Sequence, residues 1–375
     1  MGFFLPVPAV AGGATEKIWF NLAKVFVKSG HEVTLISRQW PQFPDREVLD
    51  GVNFTRLRGF NHCKQLWRNL LLDFWWGLKV SRSLPNADLV VCNVVCLPIF
   101  LRWLRPAAGK VAVVLGRMPK GQTRFYRNAD RLLATSEAVR DKIRADSPQV
   151  IDKTITFPNP MDWSLQQRYR AQGNPSLPIT IGYVGRIHPE KGLEILLEAA
   201  AMLTSDNNIP DWRLVFIGPS DVARGGGGDD YLADLKLRWQ GKFASRQLSF
   251  LGPVFNAESL AKSYGTLSIF CYPSLAEKGE GLSIAPIEAM AAGAVPIVSN
   301  LDCYRDLIRD GQNGLLFDHR SGSRATQLAS QLRRLISDTE FRLNLSRVAQ
   351  TDARRFDYSS SAEYLLTDFI HLIKV

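Results

Sequence analysis

The alternation of short apolar segments with amphipathic helical segments is the feature that most constrains this chain. Strands that alternate with helices in this way form parallel sheets whose two faces are covered by helices, which predicts an α/β fold. The first half has strand-like segments at 3–7 (FFLPV), 32–38, 52–58, 88–92, 111–115, 131–135 and 154–157.

This pattern is interrupted once and then starts again. Residues 170–178, RAQGNPSLP, are polar and contain two prolines, as is typical of an interdomain linker. We predict two Rossmann-like, doubly wound domains, 1–172 and 173–355, which face a cleft at the carboxyl ends of their strands, and a C-terminal helix at 356–375. The second half has strand-like segments at 179–185, 213–218, 248–252, 267–272 and 295–299, with helical spacing at 191–204, 230–243, 321–337, 339–355 and 360–374.

Charge is distributed unevenly between the two halves. Residues 1–170 hold 25 Lys and Arg against 13 Asp and Glu, a net charge of +12, whereas residues 171–375 have a net charge of −2. Such asymmetry predicts that the N-terminal half meets an anionic partner, which could be a membrane surface, a phosphorylated acceptor or a nucleic acid. The sequence has no recognisable nucleic-acid motif, so we expect no nucleic-acid partner.

The cysteines and the N-terminal segment bear on the compartment. The five cysteines have no C-x-x-C spacing, which favours a reducing cytoplasm over a disulfide framework or a structural zinc site. The opening MGFFLPVPAVAGG has no basic residues before its apolar part, so it is expected to form a buried strand and not a signal peptide. We therefore expect a cytoplasmic protein, with peripheral attachment to the inner face of the membrane as an option.

Residues 279–293, GEGLSIAPIEAMAAG, form the most informative stretch. Ser283 is suited to the N-cap of a helix, Pro286 to its first turn and Gly293 to its end. A helix N-terminus can bind a phosphate, and Glu280 and Glu288 could accept hydrogen bonds from hydroxyls on either side of it, as a nucleotide sugar requires. The alternative is a core helix whose two glutamates are solvated.

Two further stretches suit the same ligand. Residues 185–192, GRIHPEKG, follow a strand and supply Arg186 and Lys191, which could neutralise a departing nucleoside diphosphate. The alternative is a solvated turn in which Arg186 pairs with a carboxylate. Gly12 and Gly13 allow close approach of the backbone to a ligand. No D-x-D occurs, so no metal site is expected. GGGG at 225–228 predicts a mobile loop; a phosphate cradle is disfavoured, because the tetrad does not open directly onto a helix in a known motif.

Together these stretches resemble the retaining glycosyltransferases of family 4, which have the GT-B fold. The E-x7-E run at 280–288, the G-R-x3-E-K-G run at 185–192 and the glycine pair at 12–13 occur in the family's order, with weaker similarity at 29–35, 157–162, 271–281 and 308–317. The resemblance implies that Arg186 and Lys191 bind the donor diphosphate, that Glu288 binds the ribose and that Glu280 binds the donor sugar.

The resemblance also implies the remaining donor contacts and the activity. Gly281, Leu282, Ser283 and Ile284 would lie near the phosphates, with Gly12 and Gly13 as further contacts, and the last helix would cross back to the N-terminal domain. The implied activity is metal-independent, retaining transfer of a sugar from a nucleotide sugar to a glycolipid or cell-envelope glycan. A UDP-sugar is the favoured donor, and GDP-mannose is the second candidate.

One segment departs from the family pattern. Many relatives carry a histidine or an aspartate facing the donor sugar near the end of the strand at 111–115, whereas this chain continues with GRMPKGQ at 116–122. Arg117, a backbone group or another residue would have to replace it. This leaves open a nucleotide-sugar-binding protein without transfer activity. A sugar-nucleotide epimerase on the same fold is disfavoured by the motif set.

The segment 63–83, CKQLWRNLLLDFWWGLKVSRS, has apolar residues at helical spacing with basic residues beside them. Tryptophans with basic neighbours suit the interface of an anionic membrane. The alternative is a helix buried between the sheet and a neighbour, with some tryptophans lining the cleft.

Overall fold

The computed structural model describes residues 1–61, 63, 65–170 and 178–374, which form two compact units. The first unit comprises Met1–Pro160, Lys278–Leu282 and Asp357–Val375, and the second comprises Met161–Glu277 and Ser283–Phe356. Most of the linker predicted at 170–178 lies outside the described residues.

The helices and strands follow one another in the alternation that the sequence predicts. Up to residue 170 they are α1 (Ala14–Lys28), β1 (Thr34–Arg38), β2 (Arg46–Leu49), β3 (Val52–Leu57), α2 (Leu66–Ser83), β4 (Leu89–Cys92), α3 (Leu97–Leu104), β5 (Lys110–Leu115), β6 (Arg131–Ala134), α4 (Glu137–Asp146), β7 (Thr154–Thr156) and α5 (Trp163–Arg168). From residue 178 they are β8 (Ile179–Val184), α6 (Leu193–Ala201), β9 (Trp212–Ile217), α7 (Asp229–Trp239), β10 (Leu248–Gly252), α8 (Ala257–Gly265), β11 (Ile269–Tyr272), α9 (Ile284–Ala291), β12 (Val295–Ser299), β13 (Leu315–Phe317), α10 (Arg324–Ser337), α11 (Thr339–Ala353) and α12 (Tyr358–Lys374).

The second unit is built on a six-stranded sheet in the order β10-β9-β8-β11-β12-β13. All its pairs are parallel, and its strands carry fully buried side chains such as Leu214, Phe270 and Ile297. The chain winds outward from β8 to one edge and then from β11 to the other. This is the predicted doubly wound arrangement, and its topological switch point lies between β8 and β11, where ligands bind in open α/β sheets.

The first unit differs from the single sheet that the pattern suggests. It contains a four-stranded parallel sheet, β4-β5-β6-β7, and a separate three-stranded sheet, β1-β3-β2. The prediction of a strand at 3–7 is wrong: Phe3–Leu5 form bends, although the Phe3 carbonyl accepts a hydrogen bond from the Phe60 amide at 3.0 Å. Pro6 and Pro8 have no N–H groups, so the segment cannot complete a ladder between two neighbouring strands.

The antiparallel strand β2 was not predicted from the sequence. It pairs with β3 through a tight turn at Asp50 and Gly51, whose φ angles are 51° and 80°. Two consecutive positive φ angles define the type I′ hairpin turn, for which Asp-Gly is a preferred sequence. The signal for this hairpin was therefore present in the chain.

The boundary between the units differs from the predicted 172. The first unit ends at Pro160 because α5 belongs to the second unit: the Gln167 side chain donates to the Ala291 carbonyl at 2.6 Å, and α5 packs on α8 and α9. At the other end, α12 packs on α1, and Arg131 forms a bidentate ion pair with Asp368 at 2.8 and 2.9 Å. The predicted return of the last helix to the first unit is confirmed.

Candidate donor site and acceptor face

The loop after β8 holds a lysine in a restricted position. Lys191 is only 5% exposed, and its Nζ lies 5.3 Å from the centre of the Tyr272 ring, on the neighbouring strand β11. Gly192 has a φ of 63°, and a Cβ there would lie 2.1 Å from the Pro273 carbonyl oxygen. Only glycine fits this close approach. The two loops that flank the switch point therefore pack directly on each other.

Arg186 is held by acceptors from two segments. Its Nη1 donates to the Gly225 carbonyl at 2.5 Å and its Nη2 to the Glu190 carboxylate at 2.6 Å; Lys191 Nζ lies 3.9 Å from that carboxylate. Burial opposes ionisation of Glu190, but the two cations outweigh it and hold its pKa below the ordinary value. The alternative in which Arg186 pairs with a carboxylate is thus correct for Arg186, whereas Lys191 is not solvated.

The GGGG segment is not the isolated loop that the sequence suggested. Gly228 immediately precedes α7, and the Gly227 amide donates to the Ile187 carbonyl at 2.8 Å. The helix predicted at 230–243 thus begins directly after the tetrad. Its glycines pack against the 185–192 loop, because Gly225 accepts the hydrogen bond from Arg186.

The helix α9 begins where the sequence predicts. Ser283 is its N-cap by backbone position, but its hydroxyl makes no capping hydrogen bond within the described residues. Ile284 opens the helix, and the chain leaves it through Gly293, which has a φ of 92°. The predicted helix bounds are therefore confirmed, whereas the capping role of the Ser283 side chain is not seen.

Glu288 lies on the second turn of α9 and is 3% exposed. It accepts a hydrogen bond from the buried hydroxyl of Tyr264, on α8; burial and this carboxylate raise the pKa of Tyr264 well above its ordinary value. A carboxylate has about four acceptor positions, of which Tyr264 takes one. Tyr264 was not predicted as a site residue, because no motif in the sequence marks it.

Glu280 is also buried, at 8% exposure, and it lies in the five-residue segment that joins the first unit. That segment is fixed by its neighbours: the Ser136 hydroxyl donates to the Gly281 carbonyl at 2.7 Å, and the Asn159 amide donates to the Leu282 carbonyl at 2.6 Å. The alternative in which both glutamates are solvated is therefore wrong. The E-x7-E run is divided between the units, because Leu282 belongs to the first and Ser283 to the second.

The segment 116–122, which departs from the family pattern, begins in contact with Lys278–Leu282. A Cβ on Gly281 would lie 2.7 Å from the Gly116 carbonyl oxygen and 2.6 Å from the Thr135 hydroxyl. Gly116 and Arg117 are both exposed at the end of β5. The backbone of Gly116 thus occupies the position next to Gly281, and Arg117 extends from the same turn.

Gly12 and Gly13 precede α1, and a carboxylate lies against the second of them. Gly13 has a φ of 107°, and a Cβ there would lie 2.3 Å from Glu16 Oε2. Glu16 is 5% exposed, and burial raises its pKa. Gly13 therefore has a structural role in accommodating Glu16, and its contact with a donor stays a prediction.

Residues 66–83 of the predicted segment form α2, whose two faces differ sharply. Trp76 is fully buried and Val80 is 4% exposed, as the buried-helix alternative requires. The opposite face leaves several large apolar side chains in solvent, with exposures of Leu66 63%, Trp67 59%, Leu70 41%, Leu71 52%, Phe74 40% and Trp75 56%. Single exposed apolar residues are ordinary, whereas a continuous row of them marks an interaction surface.

Two family models match successive parts of this chain. The profile "Glycosyltransferase Family 4" matches residues 12–164, and "Glycosyl transferases group 1" matches residues 166–352. The chain belongs to glycosyltransferase family 4. The first profile covers the segment with the glycine pair, and the second covers the G-R-x3-E-K-G and E-x7-E runs.

One relative of this family 4 glycosyltransferase matches it over nearly the whole length of both chains. The chain is 24% identical to spore coat protein SA of Bacillus subtilis over 97% of its own length and 96% of the relative's. It is 29% identical to a phosphatidyl-myo-inositol mannosyltransferase of Mycobacterium tuberculosis over 56% of its length and 52% of the relative's.

Solved structures share the fold at low identity. Sucrose-phosphate synthase from Thermosynechococcus elongatus superposes with a TM-score of 0.79 at 19% identity, covering 97% of this chain and 94% of that one. The Anabaena protein HepE, solved with UDP-glucose, superposes with a TM-score of 0.75 at 18% identity, covering 99% and 98%. These superpositions confirm the GT-B fold.

Among the residues that the structure describes, no group of three or more His, Cys, Asp or Glu side chains could hold a metal ion. The described helices also include none that is long and apolar enough to cross a membrane.

Proposed function

We propose that this chain transfers a sugar from a nucleotide sugar to a hydroxyl of a glycolipid or cell-envelope glycan, with retention of configuration. A UDP-sugar is the first candidate donor and a GDP-sugar the second. The burial of Lys191 beside Glu190 and Arg186, at the switch point of the second unit's sheet, carries the proposal. A buried cationic loop at this position suits a diphosphate, because ligands of doubly wound sheets bind there.

In the proposed reaction the acceptor oxygen forms a bond to the sugar's anomeric carbon while the bond from that carbon to the diphosphate breaks. The acceptor's proton passes to the departing phosphate oxygen, on the same face of the sugar, so no side-chain base is required. Arg186 and Lys191 would stabilise the charge that develops on the nucleoside diphosphate, Glu280 would hold the sugar hydroxyls and Glu288 the ribose.

We further propose that transfer needs no divalent cation. Arg186 and Lys191 support this, because they would supply the positive charge that a metal ion otherwise provides beside a diphosphate. Transfer activity should survive dialysis against EDTA. A loss that Mg²⁺ or Mn²⁺ restores would contradict this part of the proposal.

The names of relatives and neighbours support the choice of substrates. HepE was solved with UDP-glucose, and the mycobacterial relatives are named as mannosyltransferases of a phosphatidylinositol. A thermal-shift panel of UDP-, GDP- and ADP-sugars tests the donor. We expect the largest rise in melting temperature with one UDP-sugar; a shift with none of them would contradict the proposal.

A nucleotide-sugar-binding protein without transfer activity is the second candidate, favoured by the glycine and arginine at 116–117. Slow hydrolysis of the stabilising nucleotide sugar separates the two. We expect release of the nucleoside diphosphate, and Glu280→Gln should lower it by about 10²-fold because the amide cannot replace the charged acceptor. Glu198→Gln, on the exposed face of α6, is the matched control. Binding without any hydrolysis or transfer would favour the second candidate.

We also propose that the protein binds the cytoplasmic face of an anionic membrane through α2, which suits the glycolipid acceptor. The exposed apolar row of α2 and its exposed neighbours Arg68 and Arg82 support this. Trp75→Ser should reduce sedimentation with anionic vesicles, and added salt should reduce it further. Equal binding to neutral vesicles, or none to either, would contradict membrane attachment by this face.

A further inference from the structure

A cavity of about 630 Å³ lies in the first unit, apart from the motif residues discussed above. Arg38 is the last residue of β1 and Arg58 follows β3, so the cavity opens at the carboxyl ends of these two parallel strands. Lys79, on α2, also lines the cavity, and so do Phe60 and Asn61. Three cations thus line one cavity.

Two of these cations, Arg38 and Lys79, have neutral partners. Arg38 Nη1 donates to the carbonyls of Phe4 and Phe60, both at 2.9 Å, and its Nη2 donates to Asn61 Oδ1 at 2.8 Å. Lys79 donates to the Arg58 carbonyl at 3.0 Å and lies 4.5 Å from the centre of the Phe60 ring. Carbonyls and a ring orient these groups without cancelling their charge.

A carboxylate is missing where one would be expected. Within the described ranges none of the three cations forms an ion pair, and no Asp or Glu lines the cavity. Like charges that share a cavity repel one another, and a bound anion removes that cost. Burial lowers the pKa of Arg38, which adds to the advantage of an anion beside it. The charge pattern therefore fits a phosphate-bearing ligand.

The surroundings of the cavity indicate where the rest of the ligand lies. Lys79 is one helical turn after Trp75, so the cavity borders the exposed apolar row of α2. The one acidic residue of α2, Asp73, is buried and accepts hydrogen bonds from the amides of Val95 and Cys96 at 3.1 and 2.7 Å. The face beside the cavity is therefore apolar and basic, like a surface that meets lipid.

We propose that this cavity binds a terminal phosphate, a monoester, on the head group of an acceptor lipid while the apolar row of α2 lies in the lipid surface. In naming the lipid as acceptor, this inference rests on the proposed glycosyl transfer; the binding itself does not. The lipid exposes a phosphate that arginine and lysine can reach, and its apolar chains remain in the membrane. Arg38, oriented by Asn61, lines one side of the cavity, and Arg58 and Lys79 close on the phosphate.

Vesicle binding by the full chain tests the proposal. Two sets of phosphatidylcholine vesicles are matched in surface charge, one with phosphatidic acid, which exposes a phosphate monoester, and one with phosphatidylglycerol, which does not. We expect about tenfold tighter binding to the phosphatidic acid vesicles, since charge-assisted hydrogen bonds add to general attraction. Equal binding to both sets by the unaltered protein would overturn the proposal.

Paired variants separate the cavity from general charge. The double variant Arg58→Gln/Lys79→Gln removes two cavity cations, and Arg68→Gln/Arg82→Gln removes two from α2 outside the cavity. We expect the first pair to abolish the preference for phosphatidic acid, and the second to weaken binding to both vesicle sets while keeping the preference. Equal loss of the preference in both pairs would overturn the assignment to this cavity. Arg38 is left unchanged because its hydrogen bonds hold the fold.

Two further readouts distinguish the remaining outcomes. If glycerol 3-phosphate binds in a manner that depends on Arg58 and Lys79, but vesicles do not, the ligand is a soluble phosphate ester and the lipid proposal is wrong. The UDP-induced thermal shift is recorded separately for the unaltered protein. Its absence would count against the proposed glycosyl transfer, whereas the vesicle preference decides the lipid cavity.

Discussion

The two units place positive charge in opposite settings. In the second unit, Arg186 and Lys191 share the carboxylate of Glu190, and the loop that carries them packs on the next strand. In the first unit, Arg38, Arg58 and Lys79 line a cavity among carbonyls and a ring, with no carboxylate among the described residues that line it. The first arrangement is fixed before a ligand arrives, whereas the second leaves its charge to be neutralised by a ligand.

This difference suits the two substrates of a glycosyltransferase. Charge stabilisation in a reaction is strongest when the groups are already oriented, because no reorganisation is needed as the bond breaks. Binding of a surface lipid requires long-range attraction instead, for which uncompensated charge is effective. The net charge of +12 on residues 1–170 and −2 on residues 171–375 follows the same division.

The largest expected effect comes from removing the buried cation of the second unit. Lys191→Met should lower the transfer rate by about 10²–10³-fold, because the departing diphosphate loses a fixed positive charge. Lys242→Met is the matched control, since Lys242 Nζ also lies over a ring, that of Trp239, at 4.4 Å, but is exposed. A similar loss in both variants, or unfolding of the Lys191 variant by circular dichroism, would contradict the catalytic role.

A smaller effect is expected from the hydroxyl that holds Glu288. Tyr264→Phe removes one hydrogen bond and should weaken UDP binding by up to about tenfold, with little change in kcat, because Tyr264 positions a binding group. Isothermal titration with UDP, together with separate kcat and KM values, measures this. A fall in kcat with unchanged KM would show that Tyr264 does not act through nucleotide binding.

The shared carboxylate should make the second unit sensitive to acid. The pKa of Glu190 is lowered in the folded state, so its ionised form stabilises the fold above the unfolded pKa of about 4.3, and this contribution is lost as pH falls below that value. Glu190→Gln should lower the melting temperature at pH 7 and flatten its decline on acidification. Arg186→Gln should reduce the effect of the Glu190 change, and the double variant measures the coupling.

The smallest expected effect is in the first unit. Arg58→Gln removes a charge without a carboxylate partner, so it should leave the melting temperature unchanged or raise it slightly, and any gain should vanish in high salt. Arg186→Gln should lower the melting temperature instead. If both changes destabilise the protein to the same degree, the proposed contrast between the two charge clusters is incorrect.

The alternation of strands and helices predicted five of the six strands of the second unit, because each of these is an apolar run between loops; the short strand β13 and the helix α8 were not predicted. The prediction was weaker in the first unit. FFLPV reads as a strand by composition, but its prolines exclude it from a ladder, and the Asp-Gly hairpin at 50–51 was overlooked although its signal was present. The residues that would bind the donor were located by motif, whereas Tyr264 and Ser136 could not be.

Sequence alone thus determined most of the alternation of strands and helices, the second unit's winding and the positions of Arg186, Lys191, Glu280 and Glu288, because local pattern and motif spacing encode these features. Tertiary structure alone decided that both glutamates are buried, that the E-x7-E run divides between the units and that Arg38, Arg58 and Lys79 share one cavity. Burial and shared cavities depend on contacts between residues far apart in the chain, and such contacts leave no local pattern to read.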